Sequence, residues 1–151
     1  MKRFEGRTAM VSGAGKNIGK EIALAFAQEG ANLIVCDYNR ENAEETAHEI
    51  EAFGVSAMPA VCDVRDRDNI FAFAEEAVRR FGRIDILVNN AGGSAGLLNK
   101  LTRFVDAQQE TLDFVIDTNL KGAMHCTQAV LRSMIRERYG RIINISSIAA
   151  L

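Results

Sequence analysis

The chain has 151 residues, 48% hydrophobic and 25% charged, which is ordinary for one soluble domain with a sizeable core. Its 18 basic and 20 acidic side chains leave a formal net charge of -2, so there is no global attraction to nucleic acid or to an anionic membrane surface. Cys36, Cys62 and Cys126 are widely spaced, form no CxxC pair and lie in apolar stretches, which predicts a reducing, cytoplasmic setting with no disulfide and no metal site.

In chain order, residues 1–7 lack the apolar core of a signal peptide, and no later run is long enough to span a membrane. Residues 8–12 read as a short buried strand. Residues 18–28 read as a helix, with Ile22, Ala23, Phe26 and Ala27 on one face and Gly30 as its stop. A second strand covers 32–37. An acidic amphipathic helix covers 41–53, with Asn39 as a candidate cap and Gly54 as its end. The third strand, 55–63, contains the single proline, Pro59, which bends it, ends it or places it at a sheet edge. Residues 66–81 carry Ile70, Phe73, Ala74, Ala77, Val78 and Phe81 on one helical stripe, and Gly82 follows.

A fourth strand spans 84–89, and residues 93–104 are polar and irregular. One long helix is expected over 106–136. Phe114, Val115, Ile116, Leu120, Met124, Val130, Leu131, Met134 and Ile135 give it apolar residues on more than one face, which calls for cover from several sides. Arg132, Arg136, Arg138 and Arg141 read as a solvated helix end. A last strand covers 141–146. Strands alternating with helices of this length predict an α/β fold: one domain over 1–151, a doubly wound parallel sheet with helices on both faces, three layers in all.

Candidate chemistry collects at strand ends. The first strand runs into Ser12, Gly13, Ala14, Gly15, Lys16, Asn17, Ile18 and Gly19, where a helix begins. Either this is a plain strand-to-helix turn, or glycines admit a pyrophosphate to the N–H groups at a positive helix end. Asp37 ends the second strand, 18 positions past Gly19, and suits a ribose-binding carboxylate or a helix cap. Asp63 and Val64 close the third strand, where Asp63 is a turn residue or an acceptor for an adenine amine. Asn89, Asn90, Ala91 and Gly92 close the fourth, where two amides and two small residues would let a flat ligand cross the strand end. All four groups fall at the carboxyl edge, where open parallel sheets bind ligands.

With these residues in order, the sequence resembles the short-chain dehydrogenase/reductase family over essentially its whole length. The family's Thr-Gly-x-x-x-Gly-x-Gly motif aligns with Ser12 to Gly19, with Ser12 for Thr and Asn17 for the middle Gly; asparagine tolerates left-handed geometry better than most residues. Asn-Asn-Ala-Gly matches at Asn89 to Gly92, the adenine-site pair at Asp63 and Val64, the catalytic Asn at Asn119, and the strand delivering the catalytic Ser at Arg141 to Ser147. The resemblance implies a Rossmann fold and hydride transfer between a nicotinamide cofactor and an alcohol or ketone. Ser147 would hold the substrate oxygen, and Asn119 would hold a water of the proton relay. NAD is the expected cofactor because Asp37 would repel a 2′-phosphate, while Lys16 and Arg40 keep NADP open. The expected partners are a small-molecule substrate and copies of the same chain, as dimer or tetramer, with no nucleic acid, membrane or metal.

The family's proton donor, a Tyr followed four places later by Lys, has no match: Tyr38 is followed by Asn42 and Tyr139 by Ile143. Neither His48, on an acidic helix, nor His125, among apolar residues, is a substitute. The expectation is an enzyme fragment that ends before its last strands and is inactive as it stands. A non-catalytic NAD-binding module fits the same motifs, and a methyltransferase is the third reading, opposed by Asn89 to Gly92 and by Ile145, Ser146 and Ser147.

Overall fold

Four of the apolar runs become strands because they are largely buried on both faces, whereas the last, Arg141–Asn144, is exposed at all four positions. β1 (Thr8–Ser12) is buried at all five positions, and β2 (Asn32–Asp37) at all but its first. Side chains alternate across a strand, so each run feeds two cores. Met10, Ile34, Cys36 and Leu87 face one side, where they meet Ile70, Ala74, Ala77, Cys126 and Val130. Ala9, Val11, Leu33, Val35, Ile86 and Val88 face the other and meet Ala23, Ala27, Ala43, Ala47 and Ile50. The molecule is a computed structural model that describes residues 2–94 and 103–147.

The remaining elements are α1 (Asn17–Gln28), α2 (Arg40–Glu51), β3 (Ala57–Val61), α3 (Arg67–Phe81), β4 (Ile86–Asn89), α4 (Gln109–Ile116), α5 (Gly122–Arg136) and β5 (Arg141–Asn144), with a 3-10 turn at Phe104–Asp106. The sheet is parallel, in the order β3-β2-β1-β4-β5. The two cores put α1 and α2 on one face and α3 and α5 on the other, which is the three-layer arrangement expected. β3 pairs on one side only, so Pro59 does sit on an edge strand, opposite Val35. Helix ends follow local chemistry. Asn39 accepts a hydrogen bond from Asn42 N–H (2.9 Å) to cap α2, Asp66 accepts from Asn69 N–H (3.1 Å) to cap α3, and Gly82 ends α3 at φ 82°. Each side-chain cap contributes about 1 kcal/mol.

Two expectations need correction. The long helix expected over 106–136 starts at Gln109 and is not uniform: a π-helical turn, Asp117–Lys121, lies within it between α4 and α5. The widened turn lets Asn119 reach Gly93, and it brings Gly122 so close to Val64 that an added Cβ would lie 2.6 Å from a valine methyl. The cysteines are not all unpaired either. Cys36 and Cys62 are joined, with Cα atoms 6.1 Å apart, because the β2–β3 register sets Cys36 against Ala60 and brings Cys62 diagonally onto the same face. Cys126 stays free and buried. Of the predicted irregular stretch 93–104, residues 95–102 lie outside the described residues.

Candidate nucleotide-binding site

The strand order turns back on itself between β1 and β4, which start from one neighbourhood and lead to opposite sides of the sheet. That switch point opens a crevice at the carboxyl edge. A cavity of about 270 Å³ lies there, lined by Gly13 from the glycine turn, Asp37 from β2, Asp63 and Val64 after β3, and Ala91 and Gly92 after β4. Six sequence-predicted residues from four separate strand ends therefore converge.

Their positions are held by a small hydrogen-bond network. The Ser12 hydroxyl donates to Val88 O (3.4 Å) and accepts from the N–H groups of Asn90 (3.1 Å) and Ala91 (3.0 Å). Asn90 donates its side-chain amide back to Ser12 O and Gly13 O, at 3.1 and 3.2 Å. Ser12, Asn90 and Gly13 thus stitch the first and fourth strand ends together. Gly19 must be glycine for packing, since a Cβ there would sit 2.0 Å from Gly13 O. Asn17, the departure from the glycine motif, adopts φ 52°, the left-handed region in which asparagine costs less than most residues.

The start of α1 is left open. Lys16, its N-cap, makes no side-chain capping bond, and the first turn carries no acidic residue. Lys16, Asn17 and Ile18 are exposed beside it. A positive helix end with open N–H groups suits a phosphate. Asp37 is 4% exposed, and its carboxylate accepts from Gly15 N–H (2.8 Å) and Asn39 N–H (2.9 Å). Gly15 has no room for a side chain, because a Cβ would lie 2.7 Å from that carboxylate.

Other predicted residues lie beside the cavity rather than in its lining. Asn89 is buried and donates to Thr127 Oγ1 (3.2 Å) and Asn144 Oδ1 (2.8 Å), which ties β4 to α5 and β5. Asn119 donates to Gly93 O (2.7 Å) and Val115 O (2.8 Å) and accepts from Gly93 N–H (3.0 Å), fastening the π turn to the strand-four loop. Ser147 follows β5 and is exposed. His125 contacts Val64 O through Nδ1 at 3.0 Å, a structural placement.

Tyr38, Cys62, Arg65, Phe114 and Thr118 also line the cavity and were not singled out from sequence. Tyr38, Cys62 and Arg65 are chain neighbours of predicted residues, so adjacency was an available signal. Phe114 and Thr118 arrive from α4 and the π turn, and only packing reveals them. The Thr118 hydroxyl is buried with no hydrogen-bond partner in the structure. An orphaned hydroxyl lining the same cavity as a fixed carboxylate fits a polar ligand. Arg65 holds the Asp63 carboxyl below its usual range, chiefly by side-chain hydrogen bonding and against partial desolvation. Among the described residues there is no cluster that could hold a metal ion, and no helix long and apolar enough to cross a membrane.

Comparison with known proteins agrees with this geometry. The family model described as short chain dehydrogenase matches residues 7–151. The chain is similar to 3-oxoacyl-[acyl-carrier-protein] reductase FabG of Thermotoga maritima, 41% identical over 149 residues that cover 99% of this chain and 58% of the reductase. It is 42% identical to Oxidoreductase UcpA of Salmonella typhimurium over 98% of this chain and 54% of that protein. Among solved structures, NAD+-bound xylitol dehydrogenase superposes with a TM-score of 0.92 at 38% identity, covering 99% of this chain and 56% of that one. A 7 alpha-hydroxysteroid dehydrogenase complexed with NADH and 7-oxo glycochenodeoxycholic acid gives 0.89 at 35% identity, covering 98% and 56%. The chain spans little more than half the length of these relatives. Its Rossmann-type sheet, its carboxyl-edge motifs and the match over residues 7–151 make it a member of the short-chain dehydrogenase family of oxidoreductases.

Proposed function

We propose that this chain forms the cofactor-binding part of an NAD-preferring oxidoreductase that interconverts a small alcohol and ketone. The observation that carries the reading is Asp37, a buried carboxylate at the end of β2 that lines the cavity and is fixed by two backbone N–H groups. Such a group accepts hydrogen bonds from ribose hydroxyls and repels a 2′-phosphate. Lys16 and Arg40, both exposed, act in the opposite direction, but neither has the fixed geometry of Asp37. When bound, the nicotinamide ring would supply or accept the hydride. The residues that would hold the dinucleotide are Gly13, Gly15, Asn17, Ile18 and Gly19 at the pyrophosphate, Asp37 at the ribose, Asp63 and Val64 at the base, and Ala91 and Gly92 over the strand end; Ser12 and Asn89 support them.

For the chemical step, Ser147, three residues after β5, would hold the substrate oxygen, and Asn119, whose amide bonds to the Gly93 backbone, would hold a water of the proton relay. The relatives are named for 3-oxoacyl-[acyl-carrier-protein], xylitol and hydroxysteroid substrates, so the substrate class stays at alcohol and ketone. Exposed Ile116, Leu120, Met124, Leu131 and Ile135 on the α4–α5 segment support assembly with copies of itself in a chain of the relatives' length. A monomer by light scattering across micromolar concentrations would reject that assembly. The test of the cofactor assignment is calorimetric titration with NAD+ and NADP+, in which NAD+ should bind more tightly. Tighter binding of NADP+ overturns it.

A further inference from the structure

We propose that Arg65 makes the base subsite selective for adenine by fixing Asp63 as an oriented acceptor for the exocyclic amine of the purine. This rests on the cofactor reading above. Asp63 and Arg65 both line the cavity, directly after β3. Arg65 Nε donates to both carboxylate oxygens of Asp63, at 3.0 and 2.9 Å. Its Nη2 donates to Oδ2, and its backbone N–H donates to Oδ1 at 2.9 Å. The same guanidinium lies over the Phe114 ring, 4.9 Å from its centroid. Phe114 comes from α4 and also lines the cavity. Asp63 is thus restrained by a planar fork whose own position is set by an aromatic face from a distant element.

The chemistry of selection follows from what the pair offers. An ionised carboxylate accepts hydrogen bonds and donates none. It therefore favours a base bearing an amine at the facing position and opposes one bearing a carbonyl oxygen there. Nε–H and one Nη2 hydrogen of Arg65 are committed to Asp63, which leaves the carboxylate as the oriented group at the end of β3. Without the fork, Asp63 keeps only the backbone N–H of residue 65 on Oδ1, its second oxygen loses its partner, and the discrimination weakens. Arg65 is a positioning residue in this account. Both members of the pair are more than a third exposed, so the pair contributes little to folding stability. Its effect belongs to recognition.

The experiment compares NAD+ with nicotinamide hypoxanthine dinucleotide, in which a carbonyl oxygen replaces the adenine amine. Calorimetric affinities are measured for the full chain and for Arg65→Ala and Arg65→Lys, with thermal midpoints alongside. The parent should prefer the adenine dinucleotide by roughly tenfold or more, the scale of a hydrogen bond to a charged group. Arg65→Ala should cut that ratio to roughly a fifth or less while the thermal midpoint stays put, and Arg65→Lys should recover only part, because an ammonium cannot reproduce the fork. An unchanged ratio in Arg65→Ala overturns the proposal while leaving the cofactor reading intact, as does a parent that binds both dinucleotides equally. A folded parent that binds neither overturns the cofactor reading, and this proposal with it.

Discussion

Asp37 at the end of β2 accepts a hydrogen bond from the backbone N–H of Gly15 at 2.8 Å, so the candidate ribose carboxylate also shapes the turn beside it. Binding and folding are coupled at this residue. Asp37→Ala should narrow the gap between NAD+ and NADP+ affinities. It should also destabilise the protein by about 1–3 kcal/mol, because Gly15 and Asn39 lose their acceptor in a buried place. Asp37→Asn keeps one acceptor oxygen and should fall between. Calorimetry and chemical denaturation on the three proteins check this; an Ala variant of unchanged stability would show that water replaces the carboxylate.

Asn17 is held at φ 52° in the glycine turn. Asn17→Ala should cost about 1 kcal/mol, since alanine pays more for left-handed backbone, whereas Asn17→Gly should be near neutral or slightly stabilising. Removing the asparagine side chain should also open the phosphate end of the site and strengthen dinucleotide binding. Paired measurements of unfolding midpoint and NAD+ affinity on both variants would show the opposite order if the asparagine side chain itself contributes to binding.

Cys126 is fully buried, and burial pushes its thiol up to about 12 from the ordinary 9.0. The folded state therefore keeps its proton where the unfolded state has released it. Stability on this account is intact below pH 9.0 and falls as pH rises from there toward 12, by up to about 1.4 kcal/mol per pH unit. Cys126→Ala should flatten that alkaline slope in denaturation curves collected from pH 8 upward. In native protein near pH 8, iodoacetamide should leave Cys126 unmodified, and peptide mapping would detect the contrary. The same mapping, run without reductant, should recover Cys36 and Cys62 as a linked pair.

Residues 1–151 contain no Tyr followed four places later by Lys, so a chain of this sequence alone should not turn over ketones with NADH. A phenol needs a nearby cation to give its proton at neutral pH. In a chain of the relatives' length, Ser147→Ala should lower kcat about a hundredfold or more while leaving the cofactor Kd unchanged. Loss in Ser146→Ala instead would move the assignment by one residue. Turnover by the 151-residue chain, with its mass confirmed, would sink the requirement for the Tyr and Lys.

Much of this molecule follows from local sequence. The two-residue alternation through Ala9, Met10 and Val11 specifies a strand buried on both faces. The 3.6-residue stripe from Ile70 to Ala77 specifies a helix, and Gly82 ends it, because each depends only on how neighbouring side chains project from one backbone segment. The placing of Gly13, Asp37, Asp63 and Ala91 at strand ends was legible for the same reason, and it sufficed to single out one edge of the sheet as the candidate site. What the tertiary structure alone decided is which of these segments lie side by side. The order β3-β2-β1-β4-β5 sets Ser12 against Asn90 and Ala91, nearly eighty residues away. The β2–β3 register joins Cys36 to Cys62, the π turn at Asp117–Lys121 carries Asn119 to Gly93, and the packing of α4 sets the Phe114 ring under the Arg65 guanidinium. Periodicity is blind to these contacts because they depend on the packing of distant segments, where a shift of one residue in register would change every partner.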